Sequence, residues 1–238
     1  VTERSEAKRR SAVRSAVAQV DFAERQLTLK LVYYGPPHSG KTSNLRALHG
    51  AVDKLNRGRL MTLDTRDDRT LFFDLLPLFF RASGFSFQIK VYTVPGQPVH
   101  EATRRVVLAG ADAVGFVADS RPDHREPNRQ SWQNLTANLK ALNLDRIPVI
   151  VQYNKRDLPE AMALAEVDRF GDPARRVHEA CATRGDGVVE TFFDLVGRAW
   201  KFLDGDGLLS QRLGLEPAAF LRALAEHVGV TEPGKIPE

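Results

Sequence analysis

Apolar positions recur in two rhythms along this chain, and the rhythms take turns. "LTLKLVYY" (27–34) is an apolar, β-branched run with the alternation of a strand. The next stretch predicts a helix that starts at a Gly/Pro-rich loop and runs to about Lys54. Strand patterns return at "RLMTL" (59–63) and at "FSFQIKVYTV" (85–94), where apolar and polar residues alternate. A polar helix is predicted over roughly 98–109, a short apolar strand at "AVGFVAD" (113–119), and a helix at "NRQSWQNLTANLKAL" (128–142). "IPVIVQYN" (147–154) reads as a buried strand, with a short helix near 160–170. "VHEACAT" (177–183) is a last strand and "VVETFFDLVGRAWKFL" (188–203) a last amphipathic helix. Strands alternating with helices predict a largely parallel sheet covered on both faces.

Both ends depart from this alternation. Residues 1–18 are basic, with Lys8, Arg9, Arg10 and Arg14 beside apolar residues at helical spacing. "QVDF" (19–22) is a candidate extra edge strand. After "DGDGLLSQ" (204–211) the composition shifts again. Pro217 suits the first turn of a helix, Phe220, Leu221, Leu224 and Val228 form one stripe, and Gly229 is a natural stop.

Composition narrows the class. The 238 residues are 42% hydrophobic and 27% charged, which suits one globular domain with appendages. No apolar run approaches the roughly 20 residues of a membrane span. The N-terminus is polar and carries no secretory pattern, and Cys181 is the single cysteine, so a reducing, cytoplasmic setting is expected. The net charge of +4 fits a polyphosphate ligand or an acidic membrane surface without requiring either.

The chemistry begins at "GPPHSGKT" (35–42), which fits the phosphate-binding pattern G-x-x-x-x-G-K-[ST] and sits between a strand and a helix. There the helix N-terminus offers free N–H groups and a positive dipole end to an anion. Backbone amides of His38, Ser39, Gly40, Lys41 and Thr42 would grip phosphate, with Gly35 opening the loop and Ser43 continuing into the helix. Lys41 would reach the outer phosphates and Thr42 would place its hydroxyl on Mg²⁺. "NKRD" (154–157) ends the buried strand. A carboxylate at Asp157 accepts from both N1–H and the 2-amino group of guanine. Adenine lacks those donors and would leave that carboxylate, expected to be buried, partly unpaired. Asn154 and Lys155 complete this motif. "CAT" (181–183) ends the next strand, where the Ala182 N–H would donate to guanine O6, and Cys181 reads as a small buried side chain.

Together with "LVYYGP", "SGKTSNL", "DRTLFFDLLP", "YTVPGQ", "FVADS", "VIVQYNKRDLP" and "GVVETF", these stretches resemble the Ras-like small GTPases, and more closely the bacterial MglA-type GTPases of gliding motility and cell polarity. The resemblance covers about 20–203. It leaves 1–19 as a basic extension and 204–238 as a C-terminal helical extension. It implies an α/β, three-layer P-loop fold with a mostly parallel six-stranded sheet, five helices, GTP/GDP switching with Mg²⁺, and a homodimeric roadblock-fold partner that activates hydrolysis. In the family's switch segments Thr70 would close over Mg²⁺ and the γ-phosphate, and Arg69 would act as an arginine finger from the same chain. Gly96 would offer its N–H to the γ-phosphate and Gln97 would orient the attacking water. Most Ras-like proteins carry an acidic residue where this chain, like MglA-type proteins, has Thr93. An outer-shell carboxylate for Mg²⁺ is therefore expected to be absent.

Pro36 matches the family, whereas Pro37 replaces a usual glycine and removes an N–H beside the γ-phosphate. Binding is expected to survive and hydrolysis to be the affected step. Three functions compete: an active regulatory GTPase, a GTP-loaded scaffold that hydrolyses poorly, and a P-loop ATPase or kinase, against which Asn154 and Asp157 argue. Nucleic acid is a remote partner, since basic and aromatic residues are not interleaved. The basic N-terminus is a candidate contact for membrane or a cell pole.

Overall fold

The computed structural model describes residues 19–63 and 73–229. The basic segment 1–18, Arg69 and Thr70 lie outside the described residues.

One sheet organises the chain. Its strands are β1 (Gln19–Asp21), β2 (Gln26–Tyr34), β3 (Met61–Leu63), β4 (Phe73–Ala82), β5 (Phe85–Thr93), β6 (Ala113–Asp119), β7 (Val149–Asn154) and β8 (Val177–Glu179). They form an eight-stranded sheet in the order β3-β4-β5-β2-β6-β7-β8, with β1 beside the start of β2. Strands β5, β2, β6, β7 and β8 run parallel, and β1, β3 and β4 pair antiparallel. The six strands implied by resemblance are joined by β3, at the edge beyond β4, and by β1, which pairs with the start of the inner strand β2.

The helices are α1 (Lys41–Ala51), α2 (Glu101–Leu108), α3 (Arg125–Ala141), α4 (Val188–Leu203), α5 (Leu208–Leu213) and α6 (Pro217–Val228). Alternation in β2 sorts its side chains between two cores. Leu27, Leu29, Leu31 and Tyr33 pack with α1, α4 and α6, while Val32 and Tyr34 pack with α2 and α3. The stripe foreseen on α6 is buried, and Phe220 stacks on Trp200 of α4 at a 3.9 Å centroid distance, while it meets Phe80 of the sheet at a tilt and Phe87 edge-on. The C-terminal helix thus closes the same core as α4.

Two expectations about elements need correction. The sequence reading draws no strand over 73–82, where the switch segment ends, and this stretch is a ten-residue strand. It pairs with β5 through a two-residue turn in which Ser83 and Gly84 both have positive φ (48° and 75°), the geometry that matches strand twist. The helix near 160–170 does not form. Tertiary anchors hold that segment as successive turns: Met162 N–H donates to Ser120 O (2.9 Å), and the Tyr153 hydroxyl donates to Asp168 O (2.9 Å).

Asp112 splices β6 onto β2. Its buried carboxylate accepts the Lys30 N–H at 2.6 Å, and its own N–H donates to Lys30 O at 2.8 Å. Burial pushes its pKa up to about 7, against the pull of the Lys30 N–H and charge. The protonated acid is therefore favoured in the fold. This contribution is whole below about pH 4 and fades as pH rises through about 7. Nucleotide-free protein should lose roughly 2–4 kcal/mol of stability across that window. Asp112→Asn should remove that slope in denaturant titrations at pH 5 and pH 7.5, and an unchanged slope would assign it to other groups.

Candidate functional site

The loop 35–42 sits at the C-terminal end of β2 and opens α1. Gly40 has φ 101°, and a Cβ there would fall 2.0 Å from Asn154 Nδ2, so only glycine lets the loop close on β7. His38 is also held at positive φ (59°), which turns successive N–H groups toward one concavity. The first turn of α1 adds N–H groups without intrahelical partners. Lys41 is 7% exposed, and its Nζ donates to Gly35 O (2.9 Å) and Pro36 O (2.7 Å). Burial, and then the charge of Arg104, press its pKa down to about 7, while Asp74 pulls the other way. Lys41 held in this way suits an anionic ligand. It lines a cleft of about 590 Å³ with Thr42 and Ser43 on one wall and Asp74, Thr93 and Gly96 on the other.

Asp74 is the residue that sequence reasoning missed. It is buried, and its Oδ2 accepts the Thr42 hydroxyl at 2.7 Å and the Thr93 hydroxyl at 3.1 Å, while Oδ1 accepts Thr62 Oγ1 at 2.8 Å. A buried carboxylate from β4 therefore stands between Thr42 and Thr93, on the strand beside the one where Ras-like proteins carry their acidic residue. The signal was a lone carboxylate in an apolar run facing 85–93 across a Ser-Gly turn. Thr42 and Asp74 are hard oxygen donors, and Mg²⁺ favours one or two carboxylates together with phosphate oxygens. The residues fit that ion. Among the described residues no cluster of three or more His, Cys, Asp or Glu could hold a metal ion.

Asn154 joins this half of the site to a second. Buried at 3% exposure, it donates from Nδ2 to Ser39 O (2.8 Å) and accepts the Ala182 N–H at Oδ1 (2.9 Å). Phosphate loop, "NKRD" and "CAT" thereby converge. The Ala182 N–H, assigned from sequence to guanine O6, is spent here on Asn154, and a base oxygen would have to share it. Lys155 has φ 67° and donates from Nζ to the buried Asp119 Oδ2 at 2.7 Å. Asp157 is exposed rather than buried, and the Cys181 thiol beside it, followed by its own backbone N–H, holds its carboxyl below the usual range. Cys181 itself is buried, as expected.

The turn after β5 faces the phosphate loop. A Cβ on Gly96 would lie 2.5 Å from Pro37 N and 2.6 Å from Pro37 Cα, so the turn's backbone rests directly on the Pro36–Pro37 peptide. Gln97 follows, exposed at the rim of the cleft.

A glycine loop between a central parallel strand and a helix, tied through Asn154 to the turns that follow the next strands, defines a P-loop protein of the small-GTPase fold. No family model matches the chain. It is 41% identical over 177 residues to the mutual gliding-motility protein MglA of Myxococcus xanthus, across 72% of this chain and 90% of that protein. The chain belongs to the MglA-type family of Ras-like small GTPases.

Proposed function

We propose that this chain is a GTP-binding and GTP-hydrolysing switch that controls motility or cell polarity through the partners it binds. The Asn154 bridge carries the reading, because one buried amide sets the phosphate loop and the base-reading turns in a single site. Lys41 and the amides of 38–42 bind the polyphosphate. Thr42, with Asp74 behind it, and Thr70 would hold Mg²⁺, which supplies neutralisation of the charge on the β- and γ-phosphate oxygens. Asp157 selects guanine, Gln97 orients water, and Arg69 supplies positive charge from the same chain. The expected activator is a roadblock-fold homodimer, and the relative named for gliding motility supports the biological role. Among the described residues no helix is long and apolar enough to cross a membrane. Recruitment to a membrane or pole is assigned to the basic N-terminus.

A second reading, the GTP-loaded scaffold, draws on Pro37, which stands against Gly96 and lacks an N–H. Single-turnover phosphate release with and without the activator separates the two.

The base assignment is tested by displacing a fluorescent GDP with GTP, GDP and ATP in Mg²⁺. Guanine nucleotides should displace it and ATP should not, and Asp157→Ala should weaken guanine binding about tenfold, since a site built around hydrogen bonds discriminates through them. Equal displacement by ATP and GTP in the unaltered protein would remove the proposal.

A further inference from the structure

We infer that Arg104 is a positioning residue that pins the Gly96–Gln97 turn at the distance from the phosphate loop where it tells a triphosphate from a diphosphate. This rests on the nucleotide reading above and adds to it a residue that never touches the ligand.

Arg104 lies on α2 and is only 4% exposed. A guanidinium so buried needs partners on all its edges, and a purely structural arginine would find them in a carboxylate. Here the fork is divided. Nε and Nη2 donate to Glu101 Oε2, at 3.2 and 2.5 Å, whereas Nη1 turns away to donate to Gln97 O at 2.5 Å and, more weakly, to Pro95 O at 3.4 Å. These two carbonyls bracket Gly96. The turn they belong to is otherwise tied by Val94 N–H to Tyr33 O on one side and His100 N–H to Gln97 O on the other.

The other end of the pin reaches α3. Glu101 Oε2 also accepts Asn134 Nδ2 at 2.9 Å, and Asn134 Oδ1 accepts both Asn138 Nδ2 (3.3 Å) and the Tyr34 hydroxyl. Tyr34 is the residue immediately before Gly35 of the phosphate loop. A closed path of hydrogen bonds therefore runs from the base of the loop, through α3, to the turn that faces it. Its effect is to set the gap between the two walls of the cleft. A diphosphate engages the loop alone, but the γ-phosphate has to meet both walls. Removing the pin should thus cost triphosphate binding and leave diphosphate binding in place.

The test compares the full chain with Arg104→Met, Arg104→Lys and Asn134→Ala, using GDP and a non-hydrolysable GTP analogue in Mg²⁺. Arg104→Met should weaken the analogue at least tenfold and GDP less than threefold. Its backbone amides at 96–97 should also exchange faster with deuterium in the analogue complex. Arg104→Lys keeps the charge without the fork and should fall between. Asn134→Ala, remote from the nucleotide, should shift the same ratio two- to threefold, with no further loss when combined with Arg104→Met. Equal loss of both nucleotides, or no change in their ratio in either Arg104→Met or Asn134→Ala, would overturn the pin. Failure of the unaltered protein to bind either guanine nucleotide would instead overturn the functional reading beneath it.

Discussion

Lys41→Ala is expected to abolish useful nucleotide binding, lowering GTP and GDP affinity by at least about 100-fold, without unfolding the protein. The lysine is buried and bonded to two loop carbonyls, Gly35 O and Pro36 O, and its pKa is pressed down to about 7. Burial lowers the pKa most, Arg104 adds to the strain, and Asp74 relieves it only in part. Such a group is stabilised by the anion it binds. Truncating one partner of a buried, hydrogen-bonded charge pair costs about 2–5 kcal/mol, and 2.8 kcal/mol is about a hundredfold in affinity. The free protein loses an uncompensated charge, so its melting temperature should hold or rise. The thermal shift that GDP gives the unaltered chain should vanish in the variant. A variant that melted early, yet still shifted with GDP, would place the phosphates elsewhere.

The parts of this site that were legible in sequence are those where chemistry restricts residue type at fixed spacing. A phosphate loop needs glycine at 40 because Asn154 stands 2.0 Å from any Cβ placed there, and it needs a cation next to it. The base-reading residues sit at strand ends, where apolar runs stop. Helix α4 was legible to its last residue because its apolar stripe is strong and Gly187 breaks the chain before it. Three features were not. Asp74 hides in an apolar strand, and its meaning comes from Thr42 and Thr93, 32 and 19 residues distant in the chain. Arg104 looks like any arginine on a polar helix until the fold turns its fork onto Gln97 O. The segment 160–170 has good helix formers, yet the Met162 N–H bonded to Ser120 O and the Tyr153 hydroxyl bonded to Asp168 O hold it in turns against propensity. In each case the folded chain sets the partners, and residue type with local spacing does not carry them.

The carboxylate on β4 leads to the second large effect. Asp74→Asn keeps the shape of the side chain and one acceptor oxygen for the Thr42 and Thr93 hydroxyls, gives up the acceptor that faces Thr62, and carries no charge. If Asp74 orients Thr42 and the waters of Mg²⁺, its loss acts on the metal, and outer-shell partners of this kind are worth about 10–100-fold in metal affinity. GDP should then leave the variant rapidly even in excess Mg²⁺, and EDTA, which should strongly accelerate release from the unaltered protein, should add little. An unchanged ratio of release rates with Mg²⁺ and EDTA would separate the carboxylate from the ion and leave it a strut between β3, β4 and β5. The position of Thr93 allows a stricter check. Its hydroxyl lies 3.1 Å from Asp74 Oδ2, so a carboxylate placed at 93 would occupy nearly the same point in the cleft. Adding Thr93→Asp to Asp74→Asn should restore the response to EDTA, because the cleft requires one negative charge beside Thr42 and either strand can deliver it.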